Sequence, residues 1–214
     1  MRVTNVIHKA QHAKSDRVSD HLFSHRIDRN SYLLRLNLCY LWGVIMQTAS
    51  RITLQLTPAG KPDAGQIAQL AEKIWRVHYP PIIGNAQVEY MLSKMYSGEG
   101  IAGDMDKGQS FAFIDNKDGR IGYLSWSYPA PGELFIHKFY IENSLQGQGI
   151  GRQAFAALLE QNPGVKTVRL TVNRKNYKSI NFYYRVGFTI EEVKDFDIGN
   201  GYFMNDFIMK YVSR

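Results

Sequence analysis

Phe139-Tyr140-Ile141-Glu142-Asn143-Ser144-Leu145-Gln146-Gly147-Gln148-Gly149-Ile150-Gly151-Arg152 decides the reading of this chain. An apolar run leads into a turn with glycine at three alternate positions, and an amphipathic segment, Gly149 to Gln161, begins inside that turn. Glycine reaches backbone conformations closed to other residues, so successive N–H groups can converge on one point. A helix start adds unpaired N–H groups and the positive end of the helix dipole. Such a turn binds phosphate. The Walker pattern requires Gly-Lys-Ser/Thr after the loop, and here Gly151 is followed by Arg152-Gln153. The dinucleotide fingerprint is G-x-G-x-x-G on the first strand of a βαβ unit, whereas this spacing is G-x-G-x-G after a later strand. Taken alone, the glycines also read as the closure of a tight strand-to-helix turn.

Three strand-like runs lead up to or into the turn: Ser110 to Asp115, Arg120 to Tyr128 and Glu133 to Ile141. Asn116-Lys117-Asp118-Gly119 and Pro129-Ala130-Pro131-Gly132 separate them with turn chemistry, which predicts an antiparallel meander. Beyond the helix at Gly149 to Gln161 come a strand at Val165 to Val172, a helix at Asn176 to Val186, and a closing pair at Phe188 to Val193 and Tyr202 to Tyr211. Upstream, Ile52 to Leu56 alternates as a strand. Ile67, Leu70, Ala71, Ile74 and Trp75 recur at helical spacing before Pro80-Pro81, and a second helix runs from Asn85 to Tyr96. Ser97 to Gly108 reads as a Gly-rich loop. The order β-α-α-β-β-β-α-β-α-β-β makes an α/β protein with one mixed sheet and helices on both faces.

With 214 residues, 44% hydrophobic and 21% charged, the chain is neither disordered as a whole nor fibrous. Its net charge of +7 is uneven: residues 1–50 carry +4, leaving +3 on residues 51–214. No basic stripe follows any one element, and residues 1–30 offer only Phe23 for base stacking, so a nucleic-acid partner is not expected. The body suits an anionic small ligand. The single cysteine, Cys39, excludes a disulfide framework and leaves the body without a thiol nucleophile, as expected of a reducing cytoplasm.

Residues 1–50 read as an extension, either loosely docked or disordered, or as an upstream start with Met46 as the working initiator. Residues 51–214 are expected to form the main folded domain. The apolar stretch Leu38 to Met46 is about half the roughly 20 residues of a membrane span, so no membrane partner is expected. His8 with His12 and His21 with His25 have helical metal-pair spacing but lack the Glu of H-E-x-x-H, and no metal is expected.

Gln146-x-x-Gly149-x-Gly151, between a strand and a helix, resembles the pyrophosphate-binding motif of the GNAT superfamily, the acyl-CoA-dependent N-acetyltransferases. Asn176-Tyr-Lys-Ser179-Ile180-Asn-Phe182-Tyr183-Tyr-Arg-Val-Gly187-Phe188 is similar to that family's N-x-x-A-x-x-x-Y-x-x-x-G-F pattern, with Ser179 for the usual alanine. The resemblance runs from Ile52 to the C-terminus. It implies a three-layer α/β/α fold whose mixed, mostly antiparallel sheet is splayed between the Glu133–Ile141 and Val165–Val172 strands, with acetyl-CoA as co-substrate in the splay. It also implies that the backbone of Phe139, Tyr140 and Ile141 pairs with the pantetheine and that Gln146, Gly147, Gln148, Gly149, Ile150, Gly151 and Arg152 hold the pyrophosphate. Asn173 and Asn176 are expected either to bond the pantetheine or to cap turn and helix. Tyr183 matches the family tyrosine that protonates the departing thiolate.

Period two places Glu133, Phe135, His137, Phe139 and Ile141 on one face, which makes Glu133 and His137 the candidate bases. The resemblance implies transfer to a primary amine of a small molecule by direct attack in a ternary complex, and leaves a homodimer open. Peptide N-acetylation and non-catalytic acyl-CoA sensing are the alternatives. Acceptor specificity is expected from the early helices, the following loop and the closing hairpin. They offer Trp75, His78, Tyr79, Tyr90 and Tyr96 with the acids Glu89, Glu99, Asp104 and Asp106, a set that suits a cationic, polyamine-like acceptor, although the same residues also read as helix core and a solvated loop.

Overall fold

A computed structural model describes residues 54–213. The expectations for residues 1–50, including both histidine pairs and Cys39, lie outside the described residues, as do Ile52 and Thr53. The elements are β1 (Gln55–Ala59), α1 (Ala64–His78), α2 (Pro80–Ile83), α3 (Asn85–Met95), α4 (Gly98–Asp106), β2 (Ser110–Asn116), β3 (Gly119–Ser127), β4 (Glu133–Ile141), α5 (Ile150–Glu160), β5 (Thr167–Asn173), α6 (Tyr177–Val186), β6 (Thr189–Gly199) and β7 (Tyr202–Val212). No helix among the described residues is long and apolar enough to cross a membrane.

One seven-stranded sheet has the order β1-β2-β3-β4-β5-β7-β6. Every neighbouring pair is antiparallel except β4 with β5. The meander forms where expected. Its first turn is closed by an Asp118 N–H donating to Asn116 Oδ1 at 2.8 Å, with Gly119 at φ 118°. Helical spacing then decides which faces are buried. Ile150, Ala154, Phe155 and Leu158 of α5 pack with Ile180 and Tyr183 of α6 against Leu134, Ile136, Val168 and Leu170 on one face of the sheet. On the opposite face Ile67, Ala71 and Trp75 of α1, Val88, Met91 and Leu92 of α3, and Ile101 of α4 pack on Phe111, Phe113 and Tyr123.

Four elements differ from expectation. The first strand lies later, at Gln55–Ala59, because its partner register runs from Asp115 to Phe111; as an edge strand it accommodates Pro58. The presumed loop at Ser97–Gly108 contains α4. Ser97 Oγ accepts from Gly100 N at 3.1 Å, and Ile101 is fully buried, so a cap and one apolar anchor outweigh the low helix propensity of glycine. Gly100 fits because a Cβ there would meet the Lys94 carbonyl oxygen at 2.9 Å. Pro80–Ile83 adds a short helix with proline at its start, where the missing N–H costs nothing.

The fourth difference lies in β4. In the β3–β4 register Ser125 opposes Lys138 while the next residue, Trp126, opposes Ile136, leaving His137 as one extra residue. This β-bulge reverses the alternation of side chains. Leu134 and Ile136 before it share a core with Phe139 and Ile141 after it, whereas Tyr140 packs into the opposite cluster. Strict period two through this strand is therefore corrected: Glu133 and Phe135 are not on the face of Phe139 and Ile141.

Candidate active site

The strand that opens the site stops pairing at its bulge. β4 and β5 are in register from Glu133 opposite Thr167 to Ile136 opposite Leu170 and no further, yet β4 continues to Ile141 and β5 to Asn173. A cleft of about 1130 Å³ occupies the gap. Phe139, Tyr140 and Ile141 line it while pairing on their other side with β3, so the β5-facing edge of this backbone is left to the cleft.

The glycine turn forms one end of the cleft. Gly147 and Gly149 have φ of 86° and 82°, values strained for any other residue. Gly149 is the N-cap of α5 and no side chain caps that end, so the first N–H groups and the dipole of α5 face an open site. Gly151 serves packing instead, since a Cβ there would meet the Phe182 ring at 3.0 Å. Gln146, Gly147, Gly149, Gly151 and Arg152 line the cleft, and Lys178 and Arg185 add positive charge to its wall. The Gln146 side chain holds the turn, donating to the Ile141 carbonyl at 3.0 Å. Gln148 donates to Ser144 O at 3.3 Å and Ile150 is buried in the core, so these two can contribute only backbone N–H groups. Arg152 also donates to the Arg185 carbonyl at 3.0 Å, tying α5 to the end of α6.

Asn173 and Asn176 both line the cleft and both cap: Asn173 Oδ1 accepts from Lys175 N at 3.0 Å and Asn176 Oδ1 from Ser179 N at 3.2 Å. Tyr183 lines the cleft from α6, buried against Phe182 and Phe188, and burial pushes its phenol above the ordinary tyrosine value. His137 lines it from the bulge, with Nε2 2.8 Å from Ser127 Oγ. Desolvation first and the Lys138 charge second lower its imidazole pKa, so it is neutral near pH 7.

Glu133 is not brought to the cleft. It precedes the bulge, and its carboxylate accepts from Arg169 Nη1 at 2.9 Å; Arg169 in turn bonds Glu191 at 2.7 Å and 3.1 Å. This is a partly exposed ion-pair network of small energetic worth. Glu133→Gln should leave steady-state turnover within about threefold of wild type, since removing a single exposed pair changes free energy by about 0.5 kcal/mol. A larger loss of kcat in that assay would return Glu133 to the site.

The acceptor side is a wall of aromatic rings. Trp75 stacks on Tyr79 at 4.0 Å, and the Tyr96 and Tyr140 hydroxyls are 2.7 Å apart. Lys138, 7% exposed, pairs with Asp104 at 2.6 Å in the same wall. His78 and Glu99 also line the cleft. Other members of the expected set are engaged elsewhere: Tyr90 donates to Ile198 O at 2.6 Å, Glu89 pairs with Arg76, and Asp106 with Lys61. One residue absent from the expected set lines the cleft from β7: Asp206, 5% exposed. Its signal in the sequence was a lone carboxylate in the apolar run Tyr202-Phe-Met-Asn-Asp-Phe-Ile-Met.

The acetyltransferase (GNAT) family profile matches residues 69–188, more than half of the chain. The chain belongs to that family. Among curated proteins it is 22% identical over 155 residues to a spermidine N(1)-acetyltransferase of Thermoplasma acidophilum, covering 68% of this chain and 94% of that one. It is 25% identical over 154 residues to an uncharacterized N-acetyltransferase of Mycobacterium tuberculosis, covering 69% and 96%. Among solved structures, a Thermoplasma acidophilum N-acetyltransferase in complex with coenzyme A superposes with a TM-score of 0.60 at 21% identity, covering 75% of this chain and 99% of that one. A ribosomal alpha-N-protein acetyltransferase in complex with coenzyme A gives 0.58 at 20%, covering 75% and 94%. These superpositions establish the splayed-sheet fold for this GNAT acetyltransferase.

Proposed function

We propose that this enzyme transfers the acetyl group of acetyl-CoA to the primary amine of a small cationic molecule by direct attack in a ternary complex. The observation that carries the reading is the coincidence, in one cleft, of an unpaired β4 edge with an uncapped helix start flanked by two left-handed glycines. That donor set fits a pantetheine arm followed by a pyrophosphate: the β4 backbone offers strand-like pairing, and the turn offers converging N–H groups backed by Arg152, Lys178 and Arg185. The coenzyme A complexes of the structural neighbours support the same choice. Acetyl-CoA supplies an activated thioester.

The remaining chemistry falls to the chain's own residues. A β4 backbone N–H at the splay polarises the thioester carbonyl. Tyr183, kept protonated by its burial, gives its proton to the departing thiolate. Residues 54–213 contain no cysteine, so the amine attacks directly rather than through an acyl-enzyme. The aromatic wall with Glu99 and Asp206 favours a positively charged acceptor, as does the spermidine acetyltransferase among the relatives.

The test is release of coenzyme A thiol from acetyl-CoA across polyamines, aryl-alkyl amines, amino acids and short peptides. Turnover confined to cationic small amines is expected. Turnover on peptides alone, or acetyl-CoA binding without turnover on any acceptor, overturns it.

A further inference from the structure

The acceptor half of the cleft contains a carboxylate that neither turn nor strand chemistry explains. Asp206 sits on β7 opposite Asn173 of β5 and opposite Lys194 of β6. Its side chain is buried near Thr171, the first β5 residue beyond the parting of β4 and β5. Both Thr171 and Asp206 line the cleft. A buried carboxylate is costly unless it is fully paired, and this one is not. Arg174, just beyond the end of β5, is committed to Asp195 of β6, and Lys194 carries its ammonium over the Phe196 ring, 5.4 Å from the centroid. From the α1–α2 junction the Tyr79 phenol is within electrostatic reach of both Asp206 and Tyr183, and His78 lines the same cleft beside Asn176. Asp206 therefore lies at the mouth of the splay, on the acceptor side, with no ion pair to a cation among the described residues.

We infer that Asp206 is the group that receives the acceptor's ammonium and removes its proton. This rests on the acetyl-transfer reading above and reassigns the base from β4 to β7. The Asp206 carboxylate takes one proton from the ammonium, and the freed nitrogen lone pair forms the C–N bond as the C–S bond breaks. Tyr183 gives its proton to the thiolate and regains one from the nitrogen as the amide forms. The Asp206 proton passes to solvent, so each turnover releases one proton. Desolvation, reinforced by Asp195 and opposed by Thr171 and Arg174, raises the Asp206 carboxyl to about 6, high enough to accept a proton yet ionised at neutral pH.

Asp206→Asn keeps the side-chain volume and removes the charge, and is compared with wild type in kcat/KM against pH on two acceptors. One is an alkyl diamine that is protonated at neutral pH; the other is an aryl amine that is already neutral. Wild type should lose activity on the diamine as pH falls through about 6. The variant should lose about 100-fold or more on the diamine and show no acidic limb, while falling less than about fivefold on the neutral amine. Equal losses on both acceptors, or an unchanged limb in the variant, overturn the assignment and leave acetyl transfer standing. Silence of the wild-type enzyme on every amine overturns the acetyl-transfer reading itself, and the assignment with it.

Discussion

Tyr183→Phe should lower kcat about 100- to 1000-fold while leaving acetyl-CoA affinity within twofold. The ring is held by Phe182 and Phe188, with centroids 5.2 Å and 5.4 Å away, and phenylalanine keeps those contacts. What the variant lacks is a proton for the thiolate. Because burial raises the phenol pKa, the wild-type hydroxyl remains protonated across the neutral and mildly alkaline range, and the rate difference should persist throughout it. Single-turnover measurement separates this from slow product release, and calorimetric titration with acetyl-CoA separates it from lost binding. A variant that loses affinity as much as rate would make the hydroxyl structural.

The largest effect on stability is expected at Gly122 of β3. A Cβ at that position would lie 2.3 Å from the Tyr140 carbonyl oxygen and 3.1 Å from Ile141 Cα, both backbone atoms of the strand segment that borders the splay. Neither can rotate away as a side-chain terminus would. Gly122→Ala must push β4 off β3, and the cost should be about 3 kcal/mol, the upper range for overpacking. For a domain of this size that is a fall in Tm of roughly 10 °C. The displacement moves the Phe139–Ile141 edge, so acetyl-CoA affinity should fall with stability. Urea unfolding and coenzyme A titration on one preparation check both, and a loss below 0.5 kcal/mol would show that the strands can separate freely there.

How much of this was legible in the sequence depended on what each element rests upon. The meander, α5, β5 and α6 follow from period and turn residues, because amphipathic faces bury against a sheet that needs them. The Gly147–Gly149 turn was legible for a different reason: only glycine takes those backbone angles without cost. Helix α4 was not, because its formation depends on Ile101 entering a core assembled by distant strands. Nor was the His137 bulge, since period two carries no mark of an inserted residue and the shift is set by pairing with Ser125 and Trp126. Glu133 was misplaced for that reason. Asp206 was overlooked because a carboxylate's burial depends on which strands flank it, and the β5-β7-β6 order is not visible in one strand.

The bulge at His137 also changes what kinds of sequence change β4 can absorb. Upstream and downstream halves of the strand are out of phase by one residue, and that phase difference sends Phe139 and Ile141 toward α5 and α6 but Lys138 and Tyr140 toward α1 and α4. Exchanging the histidine for another side chain leaves the phase intact. Deleting it would also keep Lys138 and Phe139 on their present faces, because Ile136 and Lys138 already oppose the adjacent residues Trp126 and Ser125; the deletion would remove the bulge itself, at the point where pairing with β5 ends. Along this strand the bulge is therefore the position at which one residue could be lost without exchanging the faces of Lys138 and Phe139, and the loss would be felt instead in the parting of β4 from β5, which begins there.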